Sequence, residues 1–406
     1  MLSEQSTPVV RATLPLVGAA VGDITELFYK KLFDAHPELL RDLFNRGNQA
    51  NGDQQRALAG SIAAFAGMLL EAPDVRPDAM LARIAHKHAS LGITSDQYKV
   101  VHHHLFEAIA DVLGDAVTSE VAAAWDEVYW LMANALIAIE AGLYQQTGLD
   151  GDTWHSMEIT ERRQETSDVV SLILRRADGR PTEPFRPGQY ISVQVELPDG
   201  ARQIRQYSLS AAPGHPHWRI TVKRLRDDVN PDGEVSSWLH EHARPGDSLT
   251  VSAPFGDLVL PEGDGPLLLA SAGIGSTPML AMLDHLASTG STRPVTVVHA
   301  DRSPADHAHR DEQRTLVRAL PNAQLHLWYE EPCDHAPEAS TGQADVTSLE
   351  LRPALTAYLC GPLPFMRAVR GDLLRLGVPA EMIHYEVFGP DLAGATAGRI
   401  RRDCLK

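Results

Sequence analysis

The stretch PLLLASAGIGSTPM, residues 266–279, runs an apolar segment into Gly273 and Gly275 and then into Ser276, Thr277 and Pro278 at the head of an amphipathic segment. A strand buried on both faces reads this way, and so does a helix opened by Thr and Pro. The glycines between them let a pyrophosphate approach the backbone, where the helix N-terminus supplies unpaired N–H groups and a positive dipole end. In isolation the same turn is as well explained by a ligand-free strand-to-helix junction. Its surroundings repeat the pattern: RPVTVVHAD then RDEQRTLVRAL, AQLHLWYE, and TAYLCG then PLPFMRAVRGDLLRLG. Apolar strands alternating with amphipathic helices are the sequence form of a doubly wound parallel sheet, so residues 263–406 are expected to form an α/β domain.

Upstream the period changes. MEITERR, VVSLILRR, YISVQVEL, RQYSLS, WRITVKRL and SLTVSAP are short alternating segments bounded by ADGRP, RPGQ, LPDG and RPGD, with one helix, VSSWLHEHA, among them. Even spacing of short strands implies an antiparallel β-barrel over 152–262. Within it Arg205 can pair with a phosphate, Tyr207 can lie against a flat ring and Ser208 can hydrogen-bond a ring nitrogen. Gly233, Val235 and Ser236 open a helix whose N–H groups could hold a second phosphate. Lys223 could reach a phosphate too, although a solvated strand lysine reads the same way.

Residues 1–148 are helical throughout. Apolar residues recur at three and four, and HPELL, NRGNQANGDQ, APDVRPD and GITSDQ break the pattern into six or more helices. In LARIAHKHASLG, 81–92, Leu81, Ile84, Ala85, His88 and Leu91 share one helical face, and His86 is turned about 200° away from His88. His88 on such a face is either a satisfied core histidine or a ligand. The run His102, His103, His104 spreads over the helix surface, matches no i, i+4 histidine pair, and reads as a surface feature.

The chain has 406 residues, 44% hydrophobic and 22% charged, which are globular values spread over more than one domain. With 53 acidic against 36 basic residues its formal charge is −17, which repels a phosphate backbone and argues against nucleic acid as a partner. Cys333, Cys360 and Cys404 form no C-x-x-C pair, so neither a disulfide framework nor a thiolate zinc site is indicated. No basic leader and no long apolar run is present, and a cytoplasmic protein is expected.

R-x-Y-S, G-x-V-S, G-x-G-x-T-P, CGP at 360–362 and EVFGP at 386–390, in this order, resemble the ferredoxin-reductase-like flavin reductases. That resemblance implies FAD in the barrel, held by Tyr190, Arg205, Gln206, Tyr207 and Ser208 with Lys223, Gly233, Val235 and Ser236. It implies NADH or NADPH in the α/β domain, lined by Gly273, Gly275, Ser276, Thr277, Pro278, Cys360, Gly361, Pro362 and Glu386, with Phe388 covering the flavin ring. Val387 stands where many members carry a cysteine, and Ser276 where a larger polar residue is frequent. Asp301, after VTVVHA, would favour a free ribose hydroxyl and Arg302 a 2′-phosphate, with the balance toward NADH.

FYKKLFDAHPEL, LFNRGNQANGDQQRAL, KHASLGITSDQY and WDEVYWLMANALIAIEAGLY, placed ahead of that reductase, resemble the globin domain of the bacterial flavohemoglobins. The resemblance covers the whole chain. It implies a heme b whose iron is bound by His88, with Phe44 packed on the heme face, Tyr29 donating to bound dioxygen, and Gln54 and Leu58 completing the distal pocket. Tyr98 and Glu140 would form the proximal shell, the carboxylate accepting the other ring N–H of His88 and raising electron density on iron. The implied activity is nitric oxide dioxygenation: NAD(P)H reduces FAD, FAD reduces heme iron, and the reduced heme with O2 oxidises NO to nitrate. Two alternatives stand beside it, a heme-linked reductase acting on hydroperoxides or other electrophiles, and an oxygen-binding or redox-sensing globin. A monomer without an obligatory protein partner is expected, and lipid contact is not indicated. The tail 391–406 has no assigned role.

Overall fold

The computed structural model describes residues 1–147, 153–226, 232–331 and 338–389, Ala79 without its side chain. The stretch 148–152, Cys333, Pro390 of EVFGP and the tail with Cys404 lie outside them. Contacts divide the chain into two compact units.

The first unit is built on Met1–Thr153. Its helices are α1 Ser6–Ala35, α2 Pro37–Asp42, α3 Arg46–Ala50, α4 Asp53–Glu71, α5 Asp78–Leu91, α6 Ser95–Leu113 and α7 Ser119–Thr147. The Gly, Asn and Pro breaks act as caps. Asn45 accepts from the backbone N–H of Gly47 and Asn48 to open α3, Gly92 closes α5 at φ 75°, and Thr94 with Gln97 forms a capping box on α6. Ile24, Phe28, Leu32, Phe65, Leu81, Leu105 and Trp125 fill the core between them. Each such fully buried side chain contributes roughly 1.5–3 kcal/mol of transfer free energy.

The second unit holds both sheets. One has strands β1 Trp154–Thr166, β2 Val169–Arg176, β3 Tyr190–Glu196, β4 Arg202–Ser208, β5 Trp218–Lys223 and β6 Ser248–Ser252, in the order β4-β3-β6-β1-β2-β5. The pairings β1–β2, β1–β6, β2–β5 and β3–β6 are antiparallel. Helix α8, Glu234–His242, interrupts it as expected. The other sheet has the order β10-β9-β8-β7-β11-β12, all parallel, with β7 Leu267–Ala272, β8 Val295–Asp301, β9 Ala323–Tyr329, β10 Ser340–Thr341, β11 Thr356–Cys360 and β12 Ile383–Glu386. Helices α9 Ser276–Ser288, α10 Arg310–Ala319 and α11 Leu363–Arg375 connect them. The strand order reverses beside β7, between β8 and β11, and a ligand crevice forms at the carboxyl ends of the strands that flank such a reversal.

Strands β2 and β5 bury polar residues as well as apolar ones because the α/β half covers their outer face. Arg219 donates to both carboxylate oxygens of Glu312 at 2.8 and 2.9 Å, and His309 reaches Thr221 Oγ1 at 2.9 Å and Glu312 Oε2 at 2.9 Å. These charge-assisted bonds satisfy groups that would otherwise be desolvated without compensation. The segment Pro198–Ile204, the turn after β3 together with the first three residues of β4, groups with the helices of the first unit. No helix among the described residues is long and apolar enough to cross a membrane.

Candidate active site

Helix α5 carries His88 in its last turn, and α6 and α7 bring Tyr98 and Glu140 to it. The Nδ1–H of His88 donates to Glu140 Oε1 at 2.9 Å, with Tyr98 Oη also 2.9 Å away, and Tyr98 donates to the same carboxylate oxygen at 2.5 Å. Glu140 is only 3% exposed in the apolar helix α7. A carboxylate there is tolerable because two donors converge on it. Burial, and then the Glu140 charge, pushes the Tyr98 phenol well above its ordinary range, so it stays protonated as a donor. Tyr129 donates to the Tyr98 backbone carbonyl at 2.5 Å and Tyr144 to that of Ile93 at 2.7 Å, which fixes the start of α6.

With Nδ1 protonated, the lone pair of the ring rests on Nε2, the tautomer a metal-ligating imidazole needs. Helical phase is borne out only in part: Leu81, Ala85 and Ala89 are sealed, whereas Ile84, His88 and Leu91 are half-exposed, His88 with 32% of its side chain open. A half-open apolar face with one imidazole nitrogen available fits a planar iron porphyrin.

On the other helices, Tyr29 of α1 is buried with the side-chain amides of Gln54 and Gln49 beside its phenol, and Gln49 Oε1 accepts from Gln55 Nε2 at 3.3 Å. Burial outweighs the effect of the Gln54 and Gln49 amides and raises the Tyr29 pKa, which keeps its proton available for donation. Phe44 sets its ring edge against Tyr29 at 5.8 Å and against Phe33 at 5.3 Å. Leu58, one turn beyond Gln54 on α4, is half-buried against the same core. Sequence reasoning did not find Gln49. It sits in NRGNQANGDQ, where glycine and asparagine hide a five-residue helix, and no periodicity marks it.

Gln203 was also missed. It is fully buried, and its Nε2 donates to the carbonyls of Arg41 at 3.0 Å and Phe44 at 3.2 Å, while its Oε1 accepts from Arg46 N at 3.4 Å. Arg46 pairs with Asp199 at 2.7 Å and Arg202 N donates to Asp42 at 3.1 Å. The corner carrying Phe44 is therefore held by the segment Pro198–Ile204, distant in sequence, which no local pattern marks.

In the second unit Arg205, Gln206, Tyr207 and Ser208 lie in succession on β4, and Gln206 donates to Ser192 Oγ at 3.0 Å. Tyr190 begins β3 and exchanges backbone bonds of 2.8 Å with Phe255. Arg205 lies 3.9 Å from Glu234, beside the N-terminus of α8, so an anion there would meet the guanidinium and the helix dipole together. Gly233 fits that turn because a Cβ would come within 2.6 Å of Ser236 Oγ, and that hydroxyl accepts from Leu225 N at 3.1 Å. Val235 is buried behind it. Lys223 pairs with Asp168 at 3.6 Å.

At the end of β7, Gly273 adopts φ 53° with open space where a Cβ would stand, as close approach of a ligand requires. Gly275 packs on the end of β11, where a Cβ would lie 2.3 Å from the Cys360 carbonyl oxygen. Ser276, Thr277 and Pro278 are buried in the first turn of α9, and Gly361 and Pro362 lead into α11. Cys360 is sealed. Burial, then the neighbouring Glu386, pushes its thiol well up, which suits packing and not redox exchange. Phe388 is 48% exposed, presenting a ring to its surroundings.

Two expectations need correction. Asp301 turns its carboxylate inward, 3.5 Å from His299 Nε2 and accepting from Arg302 N at 2.9 Å, so it is not presented to a ribose. The histidine run is a surface feature only at His103: His104 is buried, and His102 stacks on Phe106 and Trp130 while bonding Asp126 at 2.7 Å. Helices α1 and α7 cover two of the three positions.

Known families match the chain in the same order. Residues 26–136 match the globin family, 156–259 the oxidoreductase FAD-binding domain and 269–371 the oxidoreductase NAD-binding domain. A flavohemoprotein of Rhizobium meliloti (strain 1021) is 40% identical over 406 residues, covering 97% of this chain and 99% of its own. The chain belongs to the flavohemoprotein family. A crystal structure of flavohemoglobin from Malassezia yamatoensis with bound FAD and heme matches this flavohemoprotein with a TM-score of 0.88 at 38% identity, over 96% of this chain and 100% of that one. The FAD/NAD-binding domain of a nitric oxide dioxygenase from Vibrio cholerae O1 biovar El Tor matches with a TM-score of 0.54 at 37% identity, over 58% and 99%.

Proposed function

We propose that this flavohemoprotein is a cytoplasmic, monomeric nitric oxide dioxygenase that couples NAD(P)H oxidation to conversion of NO and O2 into nitrate, without an obligatory protein partner. The observation that carries the reading is the bonded set His88–Glu140–Tyr98 in a chain that also holds Tyr29 with Gln54 and its own reductase. The names of its structural relatives point the same way, one a flavohemoglobin with FAD and heme and the other a nitric oxide dioxygenase. The modules we assign are 1–148 for heme b, 152–262 for FAD and 263–406 for the nicotinamide dinucleotide.

When bound, these groups supply the chemistry the side chains lack, hydride acceptance, one-electron transfer and oxygen activation. The chain's part is to bind and orient. His88 offers Nε2 as the iron ligand while Glu140 holds the Nδ1 proton, which gives the imidazole partial imidazolate character and favours activation over storage. Tyr29, kept protonated by burial, offers its hydroxyl as a hydrogen-bond donor, with the amides of Gln54 and Gln49 beside it. Phe44 and Leu58 supply apolar surface that excludes water. In the reductase, Tyr190, Arg205, Gln206, Tyr207, Ser208 and Lys223 with the α8 turn Gly233, Val235 and Ser236 hold the flavin, and Phe388 covers it. The crevice between Gly273–Pro278 and Cys360–Pro362, beside Glu386, receives the nicotinamide.

A polarising proximal carboxylate and a buried distal hydroxyl are more than reversible oxygen storage needs. Rapid mixing of the reduced, oxygenated holoprotein with NO tests the reading. Fast decay with stoichiometric nitrate is expected, and slow decay without nitrate would overturn it.

A further inference from the structure

Helix α6 carries a cluster that the proposed reaction does not use. His103 Nε2 lies 3.5 Å from Glu107 Oε1, and His104 Nδ1 lies 3.4 Å from Glu107 Oε2. One donor atom from each of the three residues falls within 4.8 Å of the others. His104 is 8% exposed, and its Nδ1 makes no hydrogen bond. A buried ring nitrogen left in this state costs free energy that some partner should recover.

The two contacts are poor hydrogen bonds, since charge-assisted N–H···O bonds run at about 2.7–2.9 Å. The separations are instead close to the spacing of neighbouring ligand atoms about zinc, about 3.4 Å for bonds of about 2.0–2.1 Å, with the two rings set on different oxygens of the Glu107 carboxylate. We propose that His103, His104 and Glu107 bind one divalent metal ion of the zinc class, with solvent in the remaining position. The donor set selects that class: two imidazoles and one carboxylate suit zinc, whereas calcium and magnesium take all-oxygen shells.

One helix supplies all three ligands, so binding orders no loop. Glu107 stands four residues after His103 and three after His104, the spacings at which each imidazole reaches its carboxylate, while the two adjacent rings meet edge to face at 5.0 Å. Among neighbouring charges, Lys31 Nζ sits 2.9 Å from Asp111 Oδ2 but 4.0 Å from Glu107 Oε2, so Asp111 is its closer partner and Glu107 keeps capacity for a metal. His36 sets its ring edge against His104 at 5.5 Å and turns its own Nδ1 to Glu38 at 3.3 Å, walling the cluster without lending that nitrogen. The His103 side chain, 67% exposed, has room to reorient toward the ion.

The test is equilibrium dialysis of metal-stripped holoprotein, with heme and flavin in place, against zinc at neutral pH, for the unaltered chain, H103Q and E107Q. Both substitutions are at exposed positions, and an unchanged Soret band checks that each variant is folded. The unaltered protein should bind one equivalent that weakens by about tenfold or more in each variant. Zinc X-ray absorption of that equivalent should show two imidazoles. Equal affinity in all three proteins, no bound zinc in the unaltered one, or a shell without two imidazoles would overturn the proposal. The readout does not depend on NO turnover, so it is independent of the dioxygenase reading.

Discussion

Replacing Glu140 by Gln probes the proximal set most sharply, because it keeps the side-chain volume and removes only the charge. Glu140 accepts from His88 Nδ1–H at 2.9 Å and from Tyr98 at 2.5 Å in a site only 3% exposed. Hydrogen bonds to a charged partner contribute about 1.5–3 kcal/mol and neutral ones about 0.5–1.5 kcal/mol, so the His88 bond weakens by about 1–1.5 kcal/mol. The carboxylate favours the more positive, ferric state of a ligated iron, and its loss should raise the heme midpoint potential. For a one-electron couple about 1.4 kcal/mol corresponds to about 59 mV, which gives a rise of about 50 mV. Stability is a poorer readout here, since losing a buried charge and gaining a poorly placed amide act in opposite directions. Spectroelectrochemical titration of the Soret band, with the flavin couple as internal reference, measures the shift. A change below about 10 mV, or a fall, would refute the argument that this carboxylate tunes the ligand.

Tyr29→Phe removes the hydroxyl that meets Gln54 and Gln49, and NO turnover should fall about 100-fold with heme content unchanged; wild-type turnover would count against Tyr29 as the distal donor. Gln203→Ala strips the buried donors from the Arg41 and Phe44 carbonyls and should lower the stability of the helical unit by about 2–3 kcal/mol in urea denaturation. Acid should loosen the latch at Glu312. Burial by itself raises the pKa of this carboxyl, but His309 and Arg219 more than offset that and hold it at about 2. Because the folded value lies below an unfolded value of about 4.3, the stabilisation is complete above that value and is lost as pH falls toward about 2. With 32% of its side chain exposed, solvent screening reduces the contribution to about 1–2 kcal/mol. E312Q should show a shallower loss of stability over that pH window, and an identical acid profile would contradict the assignment.

The parts of the molecule legible in the sequence are those whose signal is local. Apolar runs bounded by Gly and Pro marked the strands, and the glycine turn at 273–275 lies where the parallel sheet reverses. Phase nominated His88, although the face it shares is only half sealed. What stayed hidden depends on residues far apart in the chain. Gln203 holds the Phe44 corner across more than 150 positions, and Gln49 is brought to Tyr29 by a helix too short to show a period. The histidine run was misread for the same reason. Spacing among histidines carries no information about their partners, which are Glu107 on the same helix and the covering residues His36 and Trp130 from elsewhere in the chain. Asp301 failed differently: the strand end was located correctly, but His299 draws the carboxylate inward.

The central claim is that one chain links NAD(P)H oxidation to nitrate formation, and electron counting tests it directly. The nitrogen of NO loses three electrons in becoming nitrate while O2 gains four, so each NO draws one electron from the nicotinamide. Steady-state assays following NADH, O2, NO and nitrate together should therefore return one NADH and two O2 for every two NO, with all nitrogen recovered as nitrate. NO loss uncoupled from NADH oxidation, or nitrogen recovered as nitrous oxide or nitrite in aerobic buffer, would contradict the account.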